Sequence, residues 1–132
     1  MRVTVIGGST VDDETYAEAR ELGRILAKRG HTVVCGGYGG VMEAVCRGAK
    51  AEGGRTVGVL SGDDPDEAND YVDVPVATNM GHARNALVVL NGEAVVAVDG
   101  ASGTLSEIGH ALSLGKEVVG LDTHDIDGVV DT

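Results

Sequence analysis

Short valine-rich runs alternate with helix-patterned stretches along this chain, and most of the runs end in glycine. Val3-Thr4-Val5-Ile6 stops at Gly7-Gly8, Thr32-Val33-Val34-Cys35 stops at Gly36-Gly37, and the run from Ala94 to Val98 is soon followed by Gly100. Thr56-Val57-Gly58-Val59-Leu60 and Val118-Val119-Gly120-Leu121 are the other clear strands, and Tyr71 to Val76 reads as a short extended piece. Between them, Asp12 and Asp13 offer an N-cap and favourable charge to a helix. Its Ala19, Leu22, Gly23 and Leu26 recur at helical spacing, and Gly30 stops it. Val41 to Ala51, Met80 to Leu90 and Thr104 to Leu114 read as further helices, and the tail from Asp122 is acidic and weakly patterned.

Val-rich strands alternating with helices predict a mostly parallel sheet covered by helices on both faces. The expected architecture is a single three-layer, Rossmann-like α/β domain spanning residues 1–132. Right-handed crossovers then put every strand-to-helix loop at the carboxyl edge of the sheet, where ligands bind in such folds.

Composition narrows the function. A hydrophobic content of 42 % suffices for one core, but with no Phe or Trp that core must be aliphatic. A formal net charge of −11 argues against nucleic-acid binding through a general basic surface. Lysines are few (Lys28, Lys50 and Lys116), and a lysine-poor, acidic surface resembles proteins of salt-loving microbes; an acidic mesophilic protein is the alternative. No apolar run is long enough for a membrane span and no secretory signal is visible, so a cytoplasmic protein is expected. Cys35 and Cys46 fall on different elements and suggest no disulfide framework. His31, His82, His110 and His124 lack metal-ligand spacing, so no metal site is expected. Asp63, Asp64, Asp66 and Glu67 read as a solvated loop.

Three glycine-rich loops share the carboxyl edge. Neither a G-x-G-x-x-G fingerprint nor a P-loop is present. In Gly7-Gly8-Ser9-Thr10, Ser9 and the Gly8 amide either face a ligand or form a plain turn. Gly36-Gly37-Tyr38-Gly39-Gly40 has four glycines in five residues, more than one turn needs, and suits a backbone brought close to a ligand. Gly100-Ala101-Ser102-Gly103-Thr104 enters a helix, whose free amides suit phosphate. Thr104-Leu105-Ser106-Glu107 also reads as a capping box. Arg84 is either a fork-shaped partner for phosphate or a surface residue.

These segments resemble, in order, the motifs of the Lonely Guy, or "lysine decarboxylase-like", family. Gly100 with Gly103-Thr104-Leu105-Ser106-Glu107 is similar to its P-G-G-x-G-T-x-x-E motif, and Met80 to Arg84 to its Met-x-x-x-Arg segment. Cys35 to Met42 resembles the second glycine loop, G-G-x-x-G-x-M, and Ile6-Gly7-Gly8-Ser9 the first. Asn85 after Arg84 is shared with a small subgroup that includes molybdenum-cofactor carrier proteins. The resemblance implies hydrolysis of the N-glycosidic bond of a nucleoside 5′-monophosphate, with Arg84 and Glu107 catalytic. The ligand would then lie against Gly8, Ser9, residues 36–40, Met80 and residues 100–104. Asp99, Ala101 and Asn85 depart from the enzymes' motif, so a carrier or sensor of a nucleotide or pterin stands as the alternative. No cofactor of the protein's own is implied; pyridoxal chemistry needs a lysine in the site, and none is there. The resemblance also implies a homodimer or larger homo-oligomer, with the helix after Met80 or after Thr104 near its interface.

Overall fold

The computed structural model describes residues 1–98, 102–121 and 129–131. Seven strands form one sheet in the order β4-β3-β2-β1-β5-β6-β7. They are β1 Arg2–Gly7, β2 Thr32–Cys35, β3 Thr56–Leu60, β4 Val74–Ala77, β5 Ala94–Val98, β6 Glu117–Leu121 and β7 Val129–Asp131. Every neighbouring pair is parallel, so the sheet is wholly rather than mostly parallel. The helices are α1 Asp13–Lys28, α2 Val41–Ala51, α3 Asn85–Leu90 and α4 Ser102–Ser113. This is the Rossmann-like α/β architecture that the strand–helix alternation predicts.

Side-chain alternation along the strands builds two cores. Val5, Val33, Cys35 and Val98 point to the face covered by α1 and α2 and pack with Ala19, Val41, Val45 and Ala49. Their neighbours Ile6, Val34, Val95 and Ala97 point to the other face and meet Val88 and Val89 of α3 and Ile108 and Ala111 of α4. A period of two on strands buried on both sides yields such opposed cores. Thr4 belongs to neither; its buried hydroxyl donates to the Val88 carbonyl at 2.8 Å and pins α3 to β1.

α1 opens as expected, with the Asp12 carboxylate accepting from the Thr15 amide at 2.8 Å, and ends before Gly30 in a left-handed conformation (φ 81°). Three expectations need correction. The stretch from Met80 is not one helix: residues Gly81–Arg84 form a 3-10 turn and α3 begins only at Asn85. Asn79 (φ 52°) and Gly81 (φ 60°) are left-handed, so no helix passes through Met80. α4 begins at Ser102, two residues before the expected start. Glu107 therefore lies more than a turn inside the helix, beyond reach of the amides a capping box would satisfy. Finally, the acidic tail adds β7 to the edge of the sheet.

Among the described residues, no helix is long and apolar enough to cross a membrane.

Candidate functional site

β1 lies between β2 and β5, so successive connections leave it toward opposite ends of the sheet. α1 and α2 cover one face and α3 and α4 the other, so the crossovers on either side of β1 lie on opposite faces, and at such a switch point a crevice opens beyond the strand ends.

Glycine is required where the first two loops lock together. Val41 donates from its amide to the Gly8 carbonyl at 3.0 Å. Gly40 is left-handed (φ 64°), and a Cβ there would overlap that same carbonyl. Gly36 has a different neighbour: a Cβ on it would come within 2.7 Å of Arg84 Nη2 and of Met42 Sδ. The bare Gly36 backbone is what lets the Arg84 guanidinium lie on the second loop, where Nη2 donates to the Gly36 carbonyl at 3.5 Å.

Tyr38 holds the other side. Its hydroxyl accepts from the Ser61 and Gly62 amides, each at 3.1 Å, so the ring is tied to the end of β3. The Asn69 side-chain amide donates to the Tyr38 carbonyl at 2.8 Å and fixes the loop from below. Arg84 then sits over the Tyr38 ring, 5.7 Å from its centroid, within cation–π range. Arg84 Nη1 donates to Asn85 Oδ1. Its Nε is buried and has no hydrogen-bond partner among the described residues.

These groups line a cleft of about 400 Å³ whose walls include Ser9, Gly36, Tyr38, Met42, Ser61, His82, Arg84, Asn85 and Glu107. Glu107 is 8 % exposed. Burial pushes its carboxyl up to about 7, with the positive charge of Arg84 pulling the other way. The cleft thus sets a cation and a titratable acid together in a chain of net charge −11. A larger concavity, about 580 Å³, runs along α1, but Glu14, Glu18 and Glu21 line it and would repel an anion.

Of the residues expected from sequence, Ser9, Gly36, Tyr38, Arg84 and Glu107 meet in the cleft. Arg84 is not the surface residue that one reading allowed, for its Nε is buried. Gly8, Gly37, Gly39 and Gly40 are not among the residues that line the cleft. Met80 is misplaced by the motif: it is 47 % exposed and off the cleft, because left-handed Gly81 turns the chain after it. Ser102, Gly103 and Thr104 form the first turn of α4. Gly100 and Ala101 lie outside the described residues.

Sequence reading missed Ser61, His82 and Asn85 as wall residues and singled out no role for Met42. Met42 was visible as the last position of the second glycine loop, and Ser61 as the residue that follows β3. It also kept the two cysteines apart, whereas their sulfurs lie 3.5 Å from one another, both buried. The hydrogen bond to Cys35 and burial push the Cys46 thiol up. Among the described residues, no cluster of three or more His, Cys, Asp or Glu side chains is arranged to hold a metal ion.

The model of the SLOG cluster4 family matches residues 1–131. The chain belongs to the SLOG cluster4 family. An uncharacterized protein of Archaeoglobus fulgidus is 46 % identical over 121 residues, covering 92 % of this chain and 80 % of that protein. Among solved structures, this SLOG protein is similar to the molybdenum cofactor binding protein of Rippkaea orientalis. The TM-score is 0.93 and the identity 30 %, over 99 % of this chain and 88 % of that one. The molybdenum cofactor carrier protein of Chlamydomonas reinhardtii superposes with a TM-score of 0.91 at 33 % identity, again over 99 % and 88 % of the two chains.

Proposed function

We propose that this SLOG cluster4 protein binds and carries a small phosphorylated ring compound of the molybdenum-cofactor (pterin) type. The observation that carries the reading is Arg84. It is a cation in the cleft, held by Tyr38 and Gly36, with a buried Nε that lacks a partner among the described residues. A buried donor left without an acceptor is costly, and a bound phosphate oxygen would supply one. The cleft volume suits a small molecule. Likeness to two proteins named for the molybdenum cofactor supports the choice of ligand.

The protein, mixed with cofactor released from a molybdoenzyme and gel-filtered, is expected to retain molybdenum and pterin in one peak. Arg84→Ala is expected to weaken that binding about a hundredfold, the worth of a lost charge-assisted pair. Retention undiminished in the variant would remove Arg84 from the site.

Glu107 favours a second reading, hydrolysis of the N-glycosidic bond of a nucleoside monophosphate. A carboxyl titrating near neutrality beside a cation suits general acid–base work on a charge-developing sugar. Release of ribose 5-phosphate from any of a nucleotide panel, abolished in Glu107→Gln, would establish it and displace the carrier reading.

Self-association into a homodimer or larger assembly belongs to the same proposal. Leu90 at the end of α3 and Leu114 after α4 are 53 % and 50 % exposed, apolar surface that an interface would cover. Sedimentation at micromolar protein is expected to show more than a monomer, and Leu90→Asp with Leu114→Asp is expected to dissociate it.

A further inference from the structure

Glu107 is an acidic wall of the cleft that holds the Arg84 cation. It comes from α4 and is 8 % exposed, sharing the wall with Arg84 and Asn85. Among the described residues no N–H or O–H donates to its carboxylate. Arg84 lends charge, while the hydrogen bonds of its Nη1 and Nη2 go to Asn85 Oδ1 and the Gly36 carbonyl and none goes to Glu107. A carboxylate this largely buried, facing the cleft with no donor among the described residues, is stabilised by a ligand that brings donors. The cleft also carries the soft Met42 thioether in its wall, beside the Tyr38 ring that Arg84 covers. Together these features suit a ligand with two chemistries: an anion for Arg84, and a ring whose edge donates.

Resting on the reading of the cleft as a site for phosphorylated ring compounds, we infer that Glu107 selects the ring. Its carboxylate accepts paired N–H bonds from the amino-oxopyrimidine edge that guanine and pterins share. That edge presents a ring N–H beside an exocyclic amine, two parallel donors matched to the two oxygens of one carboxylate. Hypoxanthine keeps the ring N–H and lacks the amine. Adenine sets ring acceptors beside its amine, and their lone pairs would face the carboxylate. A residue read by motif as catalytic is, on this inference, a specificity determinant.

The probes are guanosine, inosine and adenosine monophosphates, titrated calorimetrically into wild type and Glu107→Gln at about pH 8, where the carboxyl is ionised. Wild type is expected to bind the guanosine form about tenfold more tightly than the inosine form, the worth of one charge-assisted hydrogen bond, and the adenosine form more weakly still. Glu107→Gln is expected to close the guanosine–inosine gap by lowering guanosine affinity about tenfold more than inosine affinity, since inosine loses the charge on one bond and guanosine loses a second bond outright. A melting curve confirms that the variant is folded. Equal binding of all three by wild type, or a gap that survives in Glu107→Gln, would overturn the ring selectivity and leave the phosphate reading standing. No binding of any probe overturns both.

Discussion

Replacing Gly48 with alanine is expected to destabilise this protein by more than about 3 kcal/mol, beyond ordinary overpacking. α1 and α2 lie side by side with almost no side chain between them at two points. A Cβ on Gly48 would overlap the Arg20 carbonyl oxygen and come within 2.8 Å of its carbon and 3.0 Å of the Arg24 amide nitrogen. Gly23 is the counterpart on α1: a Cβ there would overlap the Val45 carbonyl oxygen and stand 3.0 Å from the Ala49 nitrogen. All these obstacles are backbone, which cannot rotate away as a side chain tip can. Helix propensity works in the opposite direction, since alanine in a helix interior is worth about 1 kcal/mol over glycine. The sign of the result therefore decides between close packing and simple propensity. Gly109 in α4 provides the control, because a Cβ there meets nothing within 4 Å. Gly109→Ala is expected to raise stability by about 0.5–1 kcal/mol in urea unfolding, while Gly48→Ala lowers it. A Gly48→Ala protein as stable as wild type would contradict the close contact of the two helices.

The second large effect is electrostatic and turns on Glu107. Burial raises its carboxyl from 4.5 to about 7, with Arg84 opposing. A raised carboxyl means that the folded chain holds a proton the unfolded chain has already lost. The stability tied to that proton is complete below about pH 4.5 and is lost as the pH rises to about 7, after which it stays lost. At 1.36 kcal/mol per unit, the loss across that window is on the order of 3 kcal/mol. Glutamine has the same shape and no charge, so Glu107→Gln removes the loss. The variant is expected to match wild type near pH 4 and to exceed it by up to about 3 kcal/mol at pH 8. Thermal melts of both proteins across this range measure the difference, which cancels the background from the other carboxylates. Curves that stay parallel throughout would place Glu107 in a better-solvated setting than its 8 % exposure implies.

Much of the architecture was legible without coordinates. β2, α2, β3 and β5 begin and end where the sequence pattern puts them, because valine runs bounded by glycine leave little latitude. The two cores follow from the alternation of Val33, Val34 and Cys35, which no parallel strand buried on both faces can avoid. Asp12 as the cap of α1 and Gly30 as its end are equally local choices. Where expectation failed, a local rule met a competing backbone conformation. Met80 to Arg84 has helical composition, yet left-handed Asn79 and Gly81 break it into a 3-10 turn. That turn carries Arg84 toward the second glycine loop and leaves Met80 in solvent.

The sequence by itself determined the parallel α/β sheet, the edge at which its glycine loops gather, and the family, since each depends on residue types at short spacing. Only the tertiary structure decided which of those residues meet. Arg84 reaches Gly36 across 48 positions of chain, Tyr38 reaches Ser61 across 23, and the two cysteine sulfurs lie 3.5 Å apart from different elements. The state of Glu107 was decided there too. Its sequence neighbours allow either a helix cap or a wall of the cleft, and it is the start of α4 at Ser102, together with burial beside Arg84, that makes it the wall. Distances through space and exclusion from water are properties of packing between elements, and no local pattern encodes them.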